Sequence, residues 1–216
     1  MNVKPLIFIG IFFLVLGISA IYLQPTQTEV VEIREYQGEK LDSVHSFREN
    51  SIEGPQYVNI STYSLKISGL LESPLEYRYG QILAFENHSK VITLYCVEGW
   101  DAKILWEGVK LSDLIPKDSI LPEATTMIFH AVDGYTTAFS ISEIYDDDLM
   151  LAHKMNDAPL IPERGFPLQL VAESKWGYKW IKWIDEIEIS TDSDYRGFWE
   201  QRGYSNTGNL NESFLR

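Results

Sequence analysis

Apolar and polar residues alternate through 63–67 (YSLKI), which predicts a β-strand that stops at Ser68 and Gly69. A second run, 91–96 (VITLYC), reads as a strand broken by Glu98 and Gly99, and a third, 126–132 (TMIFHAV), is stopped by the turn dipeptide Asp133-Gly134. Runs at 167–171 (PLQLV) and 183–189 (WIDEIEI) add two more strands. The last of these places Ile187 and Ile189 on one face and Glu186 and Glu188 on the other. Helical expectations are few: a short piece at 112–115 closed by Pro116, and a longer one over 140–151 with an acidic middle at Asp146, Asp147 and Asp148. Strands broken by short helices, out of βαβ order, predict an α+β, mainly β fold.

The first 23 residues do not follow that pattern. Residues 6–23 (LIFIGIFFLVLGISAIYL) carry no charge, with Lys4 before them and Glu29, Glu32 and Glu35 after. Eighteen residues at about 1.5 Å rise span about 27 Å, enough for a hydrocarbon core. The charge flanks predict a membrane anchor that leaves the remainder on the extracytoplasmic face, with a cleaved secretory signal as the rival reading. The expected organisation is an anchor or signal over 1–23, a polar linker over 24–45, one domain over 46–205 and a frayed polar tail over 206–216.

Composition narrows the function. A hydrophobic content of 45% is that of a folded chain. The net charge of −13 argues against nucleic acid as a partner, because such a surface repels a phosphate backbone. A single Cys excludes a disulfide framework, a Cys-rich metal cluster and a covalently attached c-type haem.

Three segments stand apart from generic scaffold. Cys96 lies at a strand end beside a Gly turn, where scaffolds present reactive groups. Its side chain reads as a small buried hydrophobe, a catalytic thiol with one of four His as base, or a soft metal ligand. Residues 163–170 (ERGFPLQL) set Arg164 beside Gly165, either a surface turn or a guanidinium fork with a close backbone approach for an anion. Residues 175–183 (KWGYKWIKW) hold three Lys and four aromatics. Extended, they would line up Lys175, Gly177 and Lys179 on one side and Trp176, Tyr178 and Trp180 on the other. That face suits a flat phosphorylated ligand, or is simply Lys stems lying over aromatics.

Together, YCVEGW (95–100), ILWEGV (104–109), FHAVDGYTT (129–137), 163–183 and RGFWEQRGY (196–204) resemble the oxidoreductase molybdopterin-binding domain family. Its sulfite-oxidase-like fold includes the periplasmic methionine sulfoxide reductase catalytic subunit, and the resemblance covers roughly 45–205. It implies a molybdenum–molybdopterin cofactor with Cys96 as the protein's thiolate ligand. Gly177, Tyr178 and Lys179 match the Gly-aromatic-Lys element that holds the pterin phosphate. Arg164 falls where many relatives carry Asn, and Gln169 where many carry Arg, so the resemblance makes Arg164 the guanidinium that reaches cofactor or substrate. Asn50 falls on a pterin-contacting loop. His130 and Asp133 are pocket-wall candidates, with a satisfied strand-end His and a turn Asp as the plain alternative. Lys175, Arg202 and Glu98 are lesser candidates.

The activity implied is oxygen-atom transfer to or from a small polar oxide or oxyanion, with the hard chemistry carried by the cofactor. No second redox motif is present. Electrons are therefore expected to pass to a separate partner: a soluble carrier, a membrane haem protein or a quinone-linked subunit. The acidic surface favours a basic one. Two rivals stay open: a cofactor-free accessory module on the same fold, and a thiol hydrolase or reductase using Cys96 with a nearby His.

Overall fold

The alternating and continuous apolar runs are drawn into two five-stranded sheets. The computed structural model describes residues 31–216, and the uncharged stretch at 6–23 lies outside the described residues. Among the described residues no helix is long and apolar enough to cross a membrane. A small hairpin of β1 (Glu35–Tyr36) and β2 (Glu39–Lys40) opens the described chain.

One sheet contains β3 (Ser64–Gly69), β4 (Leu75–Arg78), β7 (Thr126–Ala131), β8 (Thr136–Ser140) and β12 (Ile184–Ser190), in the order β4-β3-β12-β7-β8. The late strand β12 pairs parallel with β3 and antiparallel with β7, so the two ends of the domain are closed into one sheet. The other sheet runs β10-β9-β6-β5, with β11 also on β9. Its members are β5 (His88–Tyr95), β6 (Asp101–Lys110), β9 (Met150–Met155), β10 (Ala158–Pro159) and β11 (Gln169–Val171). Short α-helices at Tyr79–Ile82, Leu111–Leu114 and Ile141–Asp146 connect strands. One apolar cluster draws from both sheets, including Leu65, Ile67, Phe129 and Ile187 from the first and Ile104, Trp106 and Leu151 from the second. The fold is mainly β with few helices, as the strand pattern predicts.

Several expectations change. The helix expected over 140–151 ends at Asp146, because Asp148 takes a left-handed φ of 55° and Met150 starts β9 between β6 and β11. Residues 101–110, assigned no element from their pattern, form the longest strand, buried along most of its length. The segment 175–183 is not extended: Gly177–Lys179 is a 3-10 turn, so its lysines do not form one face. The linker expected up to residue 45 is structured from residue 31, with Leu41 and Val44 buried. The tail expected to fray packs back on the domain: Trp176 N–H donates to the Gly208 carbonyl at 2.8 Å, and Ser205 N–H to that of Phe214 at 2.9 Å.

Candidate functional site

Cys96 follows the last residue of β5, where a tight loop returns the chain to β6. Its N–H donates to the Trp100 carbonyl at 2.9 Å, its carbonyl accepts from Gly99 N–H at 3.1 Å, and Gly99 supplies the positive φ of 85°. The thiol is half-buried and faces a cavity of about 500 Å³. Two N–H groups point at Sγ: the Glu98 amide at 3.5 Å and Asn50 Nδ2 at 3.6 Å. Burial pushes the thiol pKa up and the Glu98 charge adds to it, against the pull of these donors. Unaided, the group is therefore a thiol at neutral pH, and a metal cation is the natural agent to make it a thiolate.

Glu98 lines the cavity with its side chain exposed to solvent. Its Oε2 accepts from Asn50 Nδ2 at 3.2 Å, Arg48 Nη1 at 3.0 Å and Trp100 Nε1 at 3.3 Å. These donors, Asn50 first, hold its carboxyl below the usual range. Asn50 thus bridges the sulfur and the carboxylate with one amide group.

Behind the thiol stands the Gly177–Lys179 turn. A Cβ on Gly177 would lie 3.1 Å from the Tyr95 carbonyl oxygen and 3.6 Å from the Cys96 Cα, so a side chain there would press on the Cys loop. Tyr178 lines the cavity and donates to the Ser205 carbonyl at 2.8 Å, with its ring edge against Tyr204. Its own carbonyl accepts from Tyr135 Oη at 2.5 Å. Asp133 also lines the cavity, and burial raises its pKa.

The basic residues are arranged differently from the sequence expectation. Lys179 is fully buried and off the cavity. Its Nζ donates to the Ala138 carbonyl at 2.7 Å, Glu200 Oε1 at 2.8 Å and the Asn206 carbonyl at 3.0 Å. An ammonium has three donors, so none remains for a phosphate. Lys175 is equally buried, tied to Glu143 and Asn209. Arg164 does line the cavity, but its guanidinium donates to the carbonyls of Val44 (2.7 Å), Phe47 (2.6 Å) and Arg48 (3.3 Å), and lies 3.7 Å over the Phe47 ring. It staples the 44–50 segment in place and does not reach out toward a substrate. His130 lies on β7 with its ring 3.3 Å from Glu188 and is not among the cavity residues.

The structure therefore brings Asn50, Cys96, Asp133, Arg164, Gln169, Gly177 and Tyr178 to one cavity and leaves His130 and Lys179 outside it. Sequence reasoning missed Lys182, whose Nζ meets Glu49 Oε1 at 2.5 Å and lies 4.2 Å over the Trp183 ring. It also missed Arg48, Glu49 and Tyr135. Lys182 was visible as the third lysine of 175–183. Arg48 and Glu49 flank Asn50 and carried no signal beyond that.

The donor set constrains what the cavity holds. Among the described residues no cluster of three or more His, Cys, Asp or Glu side chains could hold a metal ion. A metal held here would draw on one soft sulfur of the chain and need its remaining ligands from its own carrier. A cavity of about 500 Å³ with aromatic and hydrogen-bonding walls is of the size that accepts a cofactor. No histidine lines it, which removes the base a Cys96 nucleophile would need.

Comparison with known proteins agrees. Residues 52–199 match the oxidoreductase molybdopterin binding domain. An uncharacterized oxidoreductase of Bacillus subtilis is 32% identical over 155 residues, covering 71% of this chain and 78% of its own length. The protein-methionine-sulfoxide reductase catalytic subunit of Campylobacter jejuni is 29% identical over 170 residues, covering 71% of this chain and 57% of the relative. The sulfane dehydrogenase of Paracoccus pantotrophus shares the fold, with a TM-score of 0.61 at 20% identity over 87% of this chain and 61% of that one. The chain thus spans little more than half the length of some of the proteins it matches.

Proposed function

Because the chain belongs to the oxidoreductase molybdopterin-binding domain family, we propose that it is a molybdenum–molybdopterin oxidoreductase that moves an oxygen atom to or from a small polar oxide or oxyanion. The observation that carries this reading is the Cys96 sulfur on the wall of a cofactor-sized cavity, with no cluster of three or more metal-ligating side chains among the described residues.

Cys96 would hold the metal, and the Gly177–Tyr178 turn would lie against the pterin, with Gly177 letting that turn pack closely on the Cys96 loop. When bound, the cofactor supplies two-electron oxygen-transfer chemistry. The chain's own residues do the rest. Asn50 Nδ2 and the Glu98 amide hold and polarise the sulfur, a second layer of the kind that orients metal ligands. Arg164 locks the 44–50 segment that carries Asn50. Trp100 and Phe47, with ring centroids 5.6 Å apart, supply aromatic wall to the cavity.

In this reading the stretch at 6–23 anchors the domain at the extracytoplasmic face of a membrane, and a separate basic carrier exchanges electrons with it. The test is elemental analysis and EPR of protein from a cofactor-producing host. Stoichiometric molybdenum with a thiolate-coupled signal is expected, and Cys96→Ser should abolish that signal. A chain that never acquires molybdenum is an accessory module. A signal unchanged by Cys96→Ser means the metal is held elsewhere.

A further inference from the structure

The family match ends at residue 199, yet the residues after it close on the turn behind the thiol. Glu200 opens a 3-10 turn (Glu200–Arg202), and the chain then runs back over 174–179. Trp176 N–H donates to the Gly208 carbonyl at 2.8 Å, and Leu210 N–H to that of Ser174 at 2.9 Å. Side chains add three ties: Tyr178 Oη to the Ser205 carbonyl at 2.8 Å, Lys175 Nζ to Asn209 Oδ1 at 2.6 Å, and Lys179 Nζ to the Asn206 carbonyl at 3.0 Å. The fit is close. Gly208 takes a left-handed φ of 62°, and a Cβ there would lie 2.5 Å from Lys179 Cγ.

At the centre is the Lys179–Glu200 ion pair, 2.8 Å apart with both side chains 1% exposed. Thr137 Oγ1 donates to the same Glu200 Oε1 at 2.8 Å, while Oε2 is buried with no partner among the described residues. The carboxylate therefore relies on Lys179 for its charge. Removing one member of such a pair strands the other in a low-dielectric interior, which costs far more than the intact pair contributes. Lys179 ends the Gly177–Lys179 turn, whose Gly177 lies against the Tyr95 carbonyl and the Cys96 Cα. Whatever fixes Lys179 fixes the support behind the sulfur.

We propose that residues 200–216 are a clasp on this site: Glu200, by fixing Lys179, holds the Gly177–Lys179 turn onto the Cys96 loop and sets how firmly the chain keeps a metal on that sulfur. Glu200 and Lys179 are positioning residues, and neither lines the cavity. For its metal the clasp rests on the molybdopterin reading above. It gives Lys179 a role opposite in sign to that of a phosphate ligand. Were Lys179 to bind the phosphate, Glu200 would compete for it, and removing the Glu200 charge would tighten the cofactor. In a clasp the same change loosens it.

The test uses the full-length protein, prepared with and without cofactor. On dialysis, Glu200→Gln should lose molybdenum at least about tenfold faster than wild type, as loss of a buried bond between charged groups implies. Cofactor-free protein gives a readout that needs no metal, because Cys96 is the sole cysteine. At one pH, iodoacetamide should label Glu200→Gln at least about tenfold faster than wild type, through more frequent local opening behind the thiol. Gly208→Ala, whose methyl would press on Lys179, should act in the same way and serves if Glu200→Gln does not fold. Gly108→Ala weakens the domain at the His88 end of β5, away from the thiol, and should leave the labelling rate at the wild-type value. An equal rise in Gly108→Ala would reduce the effect to general weakening and overturn the clasp. Tighter molybdenum in Glu200→Gln would make Lys179 a phosphate ligand and overturn it as well. So would labelling rates unchanged in both Glu200→Gln and Gly208→Ala. Wild type that never takes up molybdenum, with faster labelling in both variants, would refute the molybdopterin reading and leave the clasp on the Cys96 loop standing.

Discussion

Arg164 shows how one side chain changes role when its neighbours are known. In the sequence it is a guanidinium beside a Gly turn. In the structure that guanidinium is buried and makes three bonds to carbonyls more than 100 residues away. Arg164→Lys loses the planar fork that reaches three spread carbonyls at once, and bonds from a charged donor are worth about 1.5–3 kcal/mol each. We expect it to destabilise the fold by about 2–4 kcal/mol in urea unfolding, and to lower cofactor retention by loosening the segment that carries Asn50. A Lys variant as stable as wild type would show the staple to be dispensable. Lys179 carries the same lesson. Nothing local distinguishes a lysine that meets a ligand from one that meets Glu200, since both follow the same Gly and aromatic residues. Burial lowers its pKa against the pull of Glu200, as befits an ammonium enclosed by the fold.

Strands were legible where one face is polar, as in β12, whose Ile187 and Ile189 alternate with Glu186 and Glu188. Strand β6 was not, because it is covered on both sides and its residues 104–109 are apolar nearly throughout, a pattern that cannot separate strand from helix. Gly108 shows why the register of β6 is fixed. A Cβ there would sit 2.1 Å from the Leu151 carbonyl oxygen and 2.6 Å from the Ala152 Cα, at the point where the pairing with β9 shifts. Gly108→Ala should therefore cost about 3 kcal/mol, measured as a lower urea midpoint, because backbone atoms and not a flexible side chain must move. A neutral substitution would mean that β9 can slide. The helix at Ile141–Asp146 begins as its Ser140 and Glu143 predict, with a capping box in which each side chain accepts from the other's N–H. Its end was misplaced because β9 takes the next residues into the sheet, where each gains two strand partners.

Across the whole molecule, buried ionisable groups set the pH response. His153 on β9 is buried beside Lys154, and its Nε2 donates to Asn87 Oδ1 at 3.0 Å. Burial first, and Lys154 second, lower its pKa from 6.5 to about 4. Between those values the unfolded chain binds a proton that the folded chain does not, so stability falls as pH drops from 6.5 toward 4. The loss is at most about 2 kcal/mol between pH 6.5 and 5. Chemical denaturation at both pH values should show this loss in wild type and a shallower one in His153→Gln; equal slopes would place the acid sensitivity elsewhere. Glu32 and Glu143, held below the usual carboxylate range in the folded chain, add a loss of the same sign at lower pH.

By itself, the amino-acid sequence determined the family, the mainly β class and the position of the one cysteine at a strand end. Each of these lives in local signals: alternation within a strand, a turn dipeptide, a lone Cys at a strand end. What only the tertiary structure decided is which charges face the cavity and which are spent inside the fold. Lys182, and not Lys179, reaches the cavity wall, and Glu49 and Glu98 silence two of its three cations. Electrostatic pairing depends on separations of a few ångströms between groups up to 133 residues apart along the chain. That distance is set by how two sheets and their loops close on one another, which no local pattern records.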